Sequence, residues 1–320
     1  MRTLLRPILG GLRSYLPGAD YRETGGSTSA RYCYAVWARH LAVLRRHGAA
    51  GGVVGGHVAE LGPGDTLGLS LAALLSGAEF ATACDGLRHA TPARNRQVFD
   101  ELVALFAADA PLPGDDEFPD VRPRVPGLRA LEQVVAPEVR AAASAPDRLA
   151  AIRADLDRAD DDPGSTHLRY AAPWSPDAVD AGSLDLVVSQ AVLEYLPADD
   201  GRGCRPLAEA FAAMHGWLKP GGVMSHQVDL SAPFGLEWNA HWAAGPLAWR
   251  LILGRRPHYE NRVPLSGYLA ACERAGFVVL AADTTPAAGG LGRDDVAPPF
   301  RELPDTDFAA ASVHLIARKR

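Results

Sequence analysis

Apolar positions along the chain follow two alternating periods. Between residues 27 and 48, Cys33, Trp37, Leu41 and Leu44 recur three or four apart, as on one helix face; Ser27 or Ser29 can cap the start and Gly48 the end. A run at about 53–61 reads as a strand. In "DTLGLSLAALLSGA", Leu67, Leu71, Leu74 and Leu75 share a helix face, with Asp65 placed as N-cap and Gly77 beyond the end. "EFATACD" reads as a second strand, and helices follow at Val98–Phe106 and Leu149–Leu156. "THLRY" and "SLDLVVSQ" are the third and fourth strands, the latter an unbroken apolar run such as parallel strands show when covered on both faces. A helix through Leu207, Phe211, Met214 and Leu218 leads into "VMSHQVDL". The helix Leu265–Ala275 precedes "FVVLAAD" and "SVHLIARK". This βαβα alternation predicts an α/β fold, a mostly parallel sheet with helices on both faces.

Two segments break the rhythm. Residues 111–127 hold five prolines and read as a surface excursion, part of a helical and proline-rich insert at 90–165. Residues 232–263 are aromatic and poorly periodic, as a substrate cap would be. Residues 1–50 are expected to form an N-terminal helical lid and 51–320 the main domain.

Composition narrows the function. The net charge is −6 with no basic block, which disfavours a nucleic-acid partner. Four scattered cysteines, with no two at zinc-finger spacing, suit reduced thiols and a cytoplasmic setting. The N-terminal "MRTLLRPILGGLR" is interrupted by arginines and a proline, unlike a signal peptide, and no apolar run is long enough to span a bilayer. A small-molecule partner and no membrane partner are therefore expected, and no metal. The apolar surface of residues 1–50 leaves room for a homodimer.

The stretch "VAELGPGDTLG", residues 58–68, carries the chemistry. Gly62 and Gly64 match the first two glycines of a dinucleotide fingerprint, but Leu67 stands at the third. Asp65 sits where a pyrophosphate would approach the helix, and Glu60 adds a second acid before the turn; both repel phosphate. The turn suits a cationic, phosphate-free ligand. S-adenosylmethionine, with its ammonium, sulfonium and ribose, is such a ligand. Glu60 can face the ammonium, and the glycines let the backbone come close. Asp85 ends the second strand, where an acid can accept both ribose hydroxyls.

"VAELGPGDTLG", "ATACD", "SLDLVVSQAVLEYL" and "WLKPGGVMSHQVDL" together resemble the successive motifs of class I S-adenosylmethionine-dependent methyltransferases, over about residues 53–320. The resemblance implies a Rossmann-like seven-stranded sheet in the order 3-2-1-4-5-7-6, the last strand antiparallel. Within that family the chain is similar to a little-characterised bacterial subgroup with "SARYCY.VW.RHL" near the N-terminus, "SHQ.DL" on the fifth strand and "NR" before the last helix. The implied activity is methyl transfer to an oxygen or nitrogen of a small secondary metabolite or sugar-like acceptor. Two alternatives share the motifs. The cofactor's own amine can attack its γ-carbon, closing a ring such as azetidine carboxylate and releasing methylthioadenosine. Or the chain is a non-catalytic cofactor-binding homologue.

Other residues are candidates by position. Trp174 follows the third strand and either stacks on adenine or packs at the surface. Ser189 and Gln190 leave the carboxyl end of the fourth strand, where open α/β sheets bind ligands. Tyr195 stands where the family often has histidine. His226, in "SHQVDL", is the first choice for a general base or else a structural histidine; His241 is the second. Tyr32 can reach the cofactor or acceptor from the lid. Trp238 reads as a pocket wall, and Asn261 and Arg262 either bind a polar substrate or fasten the cap.

Overall fold

The computed structural model describes residues 2–16, 27–158, 164–197, 207–235, 237–256 and 259–320. Seven strands form one sheet: β1 (His57–Leu61), β2 (Phe80–Cys84), β3 (Leu168–Ala171), β4 (Leu184–Gln190), β5 (Leu218–Asp229), β6 (Phe277–Pro286) and β7 (Ala310–Lys319). Their order is β3-β2-β1-β4-β5-β7-β6. β7 runs antiparallel to β5 and β6; the other pairs are parallel. The expected strands and their order are therefore present, with Rossmann-like topology. The order reverses between β1 and β4, so the chain leaves their carboxyl ends in opposite directions and opens a crevice there.

Helices cover both faces. On one lie α2 (Ala30–Arg46), α3 (Gly68–Leu75), α4 (Pro92–Ala107) and α6 (Pro146–Leu156); α5 (Pro137–Ala143) is a short link before α6. Trp37, Leu71, Phe99 and Ile152 meet Val58, Ala81 and Leu186 there. On the other lie α7 (Leu207–Trp217) and α9 (Leu265–Arg274), which set Phe211, Met214 and Tyr268 against Ala59, Val187 and Leu315. Strand alternation explains the division: neighbours such as Val58 and Ala59 point to opposite faces.

Three sequence expectations change. The segment expected as one lid divides. α2 is a core layer, with Tyr34, Trp37 and Leu44 fully buried and Trp37 Nε1 donating to Ser76 Oγ at 2.7 Å. α1 (Arg2–Arg13) instead lies against α8 (Pro246–Leu253). Asp65 is not an N-cap: α3 begins at Gly68, three residues later, and all eight of its residues are buried, not only one face. The proline-rich stretch is not a free excursion. Leu112 and Val121 are buried, and Val121 and Phe118 pack on Cys33, Val36 and Tyr32 of α2. Its proline content sets backbone angles without preventing apolar side chains from docking. Among the described residues, no helix is long and apolar enough to cross a membrane.

Candidate functional site

The crevice begins at the β1–α3 turn. Gly62 and Gly64 both have positive φ, +70° and +71°. A Cβ on Gly62 would lie 2.5 Å from Val192 Cγ2, so the turn needs glycine for space as well as for its backbone angle.

Five backbone N–H groups of this turn and the start of α3 are already used inside the protein. Gly62 N donates to Cys84 O at 2.7 Å and Gly64 N to Asp85 Oδ2 at 3.1 Å. Thr66 N donates to Ser27 Oγ at 3.3 Å, and Leu67 N to Asn95 Oδ1 at 3.0 Å. Ser70 N and Ser70 Oγ both donate to Glu60 Oε2, at 2.9 and 2.6 Å. Ser70 N is one of the first-turn amides of α3 that an anionic ligand would need. Glu60 therefore caps α3 from the end of β1, the service expected of Asp65. Asp65 lies buried with Arg94 Nη1 3.6 Å away. Ser29 alone caps α2, accepting from Tyr32 N, which frees Ser27 to brace the turn.

Both acids beside the turn are electrostatically loaded. Burial raises the Glu60 carboxyl to about 7; the Ser70 hydrogen bonds oppose that rise and nearby Asp85 adds to it. Asp85 is raised as well, chiefly by burial, against hydrogen bonds from the Leu87 and Gly64 amides. A cationic ligand in the crevice would relieve both. On the flank of Asp85 a cavity of about 310 Å³ is bounded by Leu67, Arg88, Asn95 and Tyr170.

At the carboxyl ends of β4 and β5 the polar residues sort by face. Ser225 Oγ lies 2.9 Å from His40 Nδ1 and from His314 Nε2, under α2. Gln190 joins this group, with Oε1 3.2 Å from His40 Nε2 and Nε2 donating to the Arg122 carbonyl at 3.1 Å. On the opposite face Ser189 Oγ sits 2.7 Å from His226 Nδ1. Both Ser189 and His226 are fully buried. Burial, with His40 adding to it, pushes the His226 imidazole down to about 3. An imidazole held that low is a feeble proton acceptor at neutral pH, which weakens the general-base reading. His241 is likewise buried beside Trp242 and driven to about 3, by burial and then by Arg262.

The cap residues chosen from the sequence hold the cap itself. Trp238 Nε1 donates to the Gly289 carbonyl at 3.2 Å, and its ring meets Trp242 edge-on at 5.4 Å. Asn261 Nδ2 reaches the Leu193 and Leu196 carbonyls at 3.0 and 2.8 Å, while its Oδ1 accepts from Val263 N at 2.9 Å. Arg262 lies between the Trp249 and Phe300 rings, 4.4 and 4.9 Å from their centres, and donates to the Ala244 carbonyl. These polar groups are spent on fastening. The Trp174 ring is buried and meets Trp217 edge-on at 5.3 Å. Tyr195 donates to Glu260 Oε1 at 3.1 Å.

The structure brings Tyr32 and Glu194 to the crevice. Tyr32 is half-buried, edge-on to Phe118 at 5.7 Å, and its hydroxyl is raised to about 12, mostly by burial, with Glu194 and Glu60 both contributing. Glu194 was not singled out from the sequence. It is 3% exposed; its Oε1 accepts from Asp229 N at 3.4 Å and its Oε2 has no hydrogen-bond partner. Burial foremost, then Asp229 and Glu260, lift it well above the usual carboxylate range. A signal existed: Glu194 stands four residues past Gln190, directly over the strand end. Arg39 and His40 stand in the "SARYCY.VW.RHL" motif but were given no role from the sequence. Both are buried on α2, and Arg39 Nη2 reaches only Pro113 O and Asp115, at 3.4 and 3.5 Å.

No family model matches the chain, and no curated protein matches it. Solved structures show a distant likeness to it. An S-adenosylmethionine-dependent methyltransferase from Mesorhizobium loti is 16% identical over 87% of this chain and 96% of its own, with a TM-score of 0.41. A phosphoethanolamine N-methyltransferase from Haemonchus contortus, solved with S-adenosylhomocysteine, is 12% identical over 88% of this chain and 52% of its own, with a TM-score of 0.42. At such identities and TM-scores nothing is drawn from the likeness, and the fold assignment rests on the strand order itself.

Proposed function

We propose that this protein is an S-adenosylmethionine-dependent methyltransferase acting on an oxygen or nitrogen of a small-molecule acceptor. One observation carries the reading. The named amides of the β1–α3 turn are satisfied internally, and two carboxyls raised by burial stand beside it. Such a turn repels phosphate and attracts a cation. When bound, the cofactor supplies a methyl group already activated by its sulfonium.

The chain's own residues would then do three things. Gly62 and Gly64 admit the methionyl portion, with Glu60 supplying negative charge beneath it. Asp85 takes the ribose: each carboxylate oxygen accepts one backbone N–H and keeps a lone pair for a hydroxyl. The acceptor lies over the ends of β4 and β5, bounded by Tyr32, Glu194 and the cap, where alignment for in-line displacement can contribute ~7–11 kcal/mol. His226 acts through Ser189, as a positioning residue.

The test is to incubate pure protein with S-adenosylmethionine, with and without an acceptor panel, and to identify the nucleoside product. S-adenosylhomocysteine that depends on an acceptor supports the proposal. Methylthioadenosine formed without acceptor replaces it with intramolecular cyclisation. Saturable binding without turnover leaves a non-catalytic homologue, and preferential binding of NAD or ATP would refute the whole reading.

A further inference from the structure

The surface formed by α1 and α8 differs from the rest of the protein. Residues 2–16 and 246–256 carry three arginines each and no acidic residue, in a chain of net charge −6. Leu4, Ile8 and Gly11 are the less exposed side of α1. Gly11 allows the close crossing: a Cβ there would strike the Leu251 carbonyl oxygen at 1.9 Å. Ser14 Oγ then accepts from Arg255 N at 2.7 Å and ties the two elements together.

The opposite side of α1 is apolar and uncovered. Leu5 is 58% exposed, Leu9 56% and Leu12 43%, and Tyr15 and Leu16 continue past the helix end at 50% and 63%. Leu5, Leu9 and Leu12 fall within a wedge of about 60° around the helix axis. Leu247 of α8, 71% exposed, extends the patch. Arg6, Arg13, Arg250 and Arg255 are exposed on its borders, and Arg255 lies over the Tyr15 ring at 5.2 Å. A stripe of leucines bordered only by guanidinium groups is the pattern of a helix lying in a lipid headgroup layer.

We propose that this face docks the protein on an anionic phospholipid surface, with the leucines entering the acyl boundary and the arginines meeting headgroup phosphates. Charge chooses this occupant. A two-fold dimer through the same face would set arginines against arginines with no acid on either helix. The face is also a convex helix side, not a groove for a protein ligand. The sequence expectation of no membrane partner considered spans and signal peptides; it did not foresee a helix folded back to lie flat.

The experiment is vesicle co-sedimentation of the full chain. Phosphatidylcholine vesicles are compared with phosphatidylcholine doped with phosphatidylglycerol, in low and high salt. Binding at least ~10-fold stronger to the doped vesicles, and weakened by salt, is expected. The double variant Leu5→Gln/Leu9→Gln should lower it at least ~10-fold. Arg6→Gln/Arg13→Gln should lower it by about 30-fold at low salt. These positions are exposed, and an unchanged thermal midpoint verifies folding. Equal affinity for both vesicles, or none for either, overturns the proposal. So does a stable dimer in light scattering that the leucine variant dissociates, because the face then belongs to a second copy. None of these outcomes depends on methyl transfer.

Discussion

Replacing Glu60 by glutamine separates the electrostatic role of this carboxyl from its role as a cap. The substitution keeps the shape and one acceptor for Ser70, but removes a charge that is almost wholly buried. In the folded protein the carboxyl is raised from 4.5 to about 7. A raised acid stabilises the fold fully below its unfolded value, and that contribution is lost as pH rises through 7. The loss amounts to about 3 kcal/mol by pH 9. The thermal midpoint of the wild-type apo protein should therefore fall between pH 6 and 8.5, and that of Glu60→Gln should fall less. Cofactor binding should run the other way. An ionised Glu60 about 5 Å from a cation, at an effective dielectric constant near 20, contributes about 3 kcal/mol, roughly a hundredfold in affinity. Calorimetry with S-adenosylmethionine should show wild-type affinity rising from pH 5.5 to 8.5. Glu60→Gln should stay flat and end up to about a hundredfold weaker. Methylthioadenosine, which lacks both charges, should bind the two proteins alike. If the variant binds S-adenosylmethionine as tightly as wild type at pH 8.5, the electrostatic account of the turn is wrong.

Three further outcomes test separate parts of the structure. His40, lowered to about 4 by burial, and His226, lowered to about 3, stay neutral in the fold but take up protons when unfolded below about 6.5. Their contribution is present above that pH and is lost as pH falls toward 4, about 3 kcal/mol for His40 alone; urea unfolding at pH 7.5 and 5 should show the drop, and His40→Gln should reduce it. Gly62→Ala forces a Cβ against Val192 at positive φ; it should cost about 1–3 kcal/mol in urea unfolding and weaken cofactor binding, with part of both restored by Val192→Ala. Arg262→Ala removes the guanidinium from between Trp249 and Phe300; it should destabilise by about 1–3 kcal/mol yet leave the S-adenosylmethionine dissociation constant unchanged, and a large change in that constant would restore Arg262 to the ligand site.

The strands were legible because each carries its own local pattern; their order was implied by the resemblance to class I methyltransferases, and the sheet has that order. "SLDLVVSQ" carries an almost continuous apolar run because β4 lies in the sheet centre with helices on both faces. Alternation along "SHQVDL" also held: Ser225 faces His40 and His314, and His226 faces the other way toward Ser189. The glycine turn was legible for the same reason, as both positive φ values fall on its two glycines. What local pattern does not encode is depth and distant partners. His226 seemed a base because free imidazole titrates near neutrality, but full burial removes that property. For Asn261 and Arg262 the sequence left substrate binding and cap fastening both open, because nothing in "ENRV" announces that Leu193, Leu196, Trp249 and Phe300 will surround them.

The exchange of roles between Asp65 and Glu60 shows how such an error can leave a conclusion standing. Sequence placed an acid at the start of α3 and argued that phosphate would be repelled. The acid is there, but it comes from β1, ten residues before the Ser70 amide it accepts. A carboxyl reaching α3 from the strand is buried where a solvated cap would not be, and burial raises it to about 7. That difference matters chemically. Glu60 gains or loses a proton near neutrality in response to what sits beside it. Under the proposed function the turn would therefore turn phosphate away through amides already bonded at Gly62, Gly64, Thr66, Leu67 and Ser70, and would stay adjustable toward a cation through Glu60.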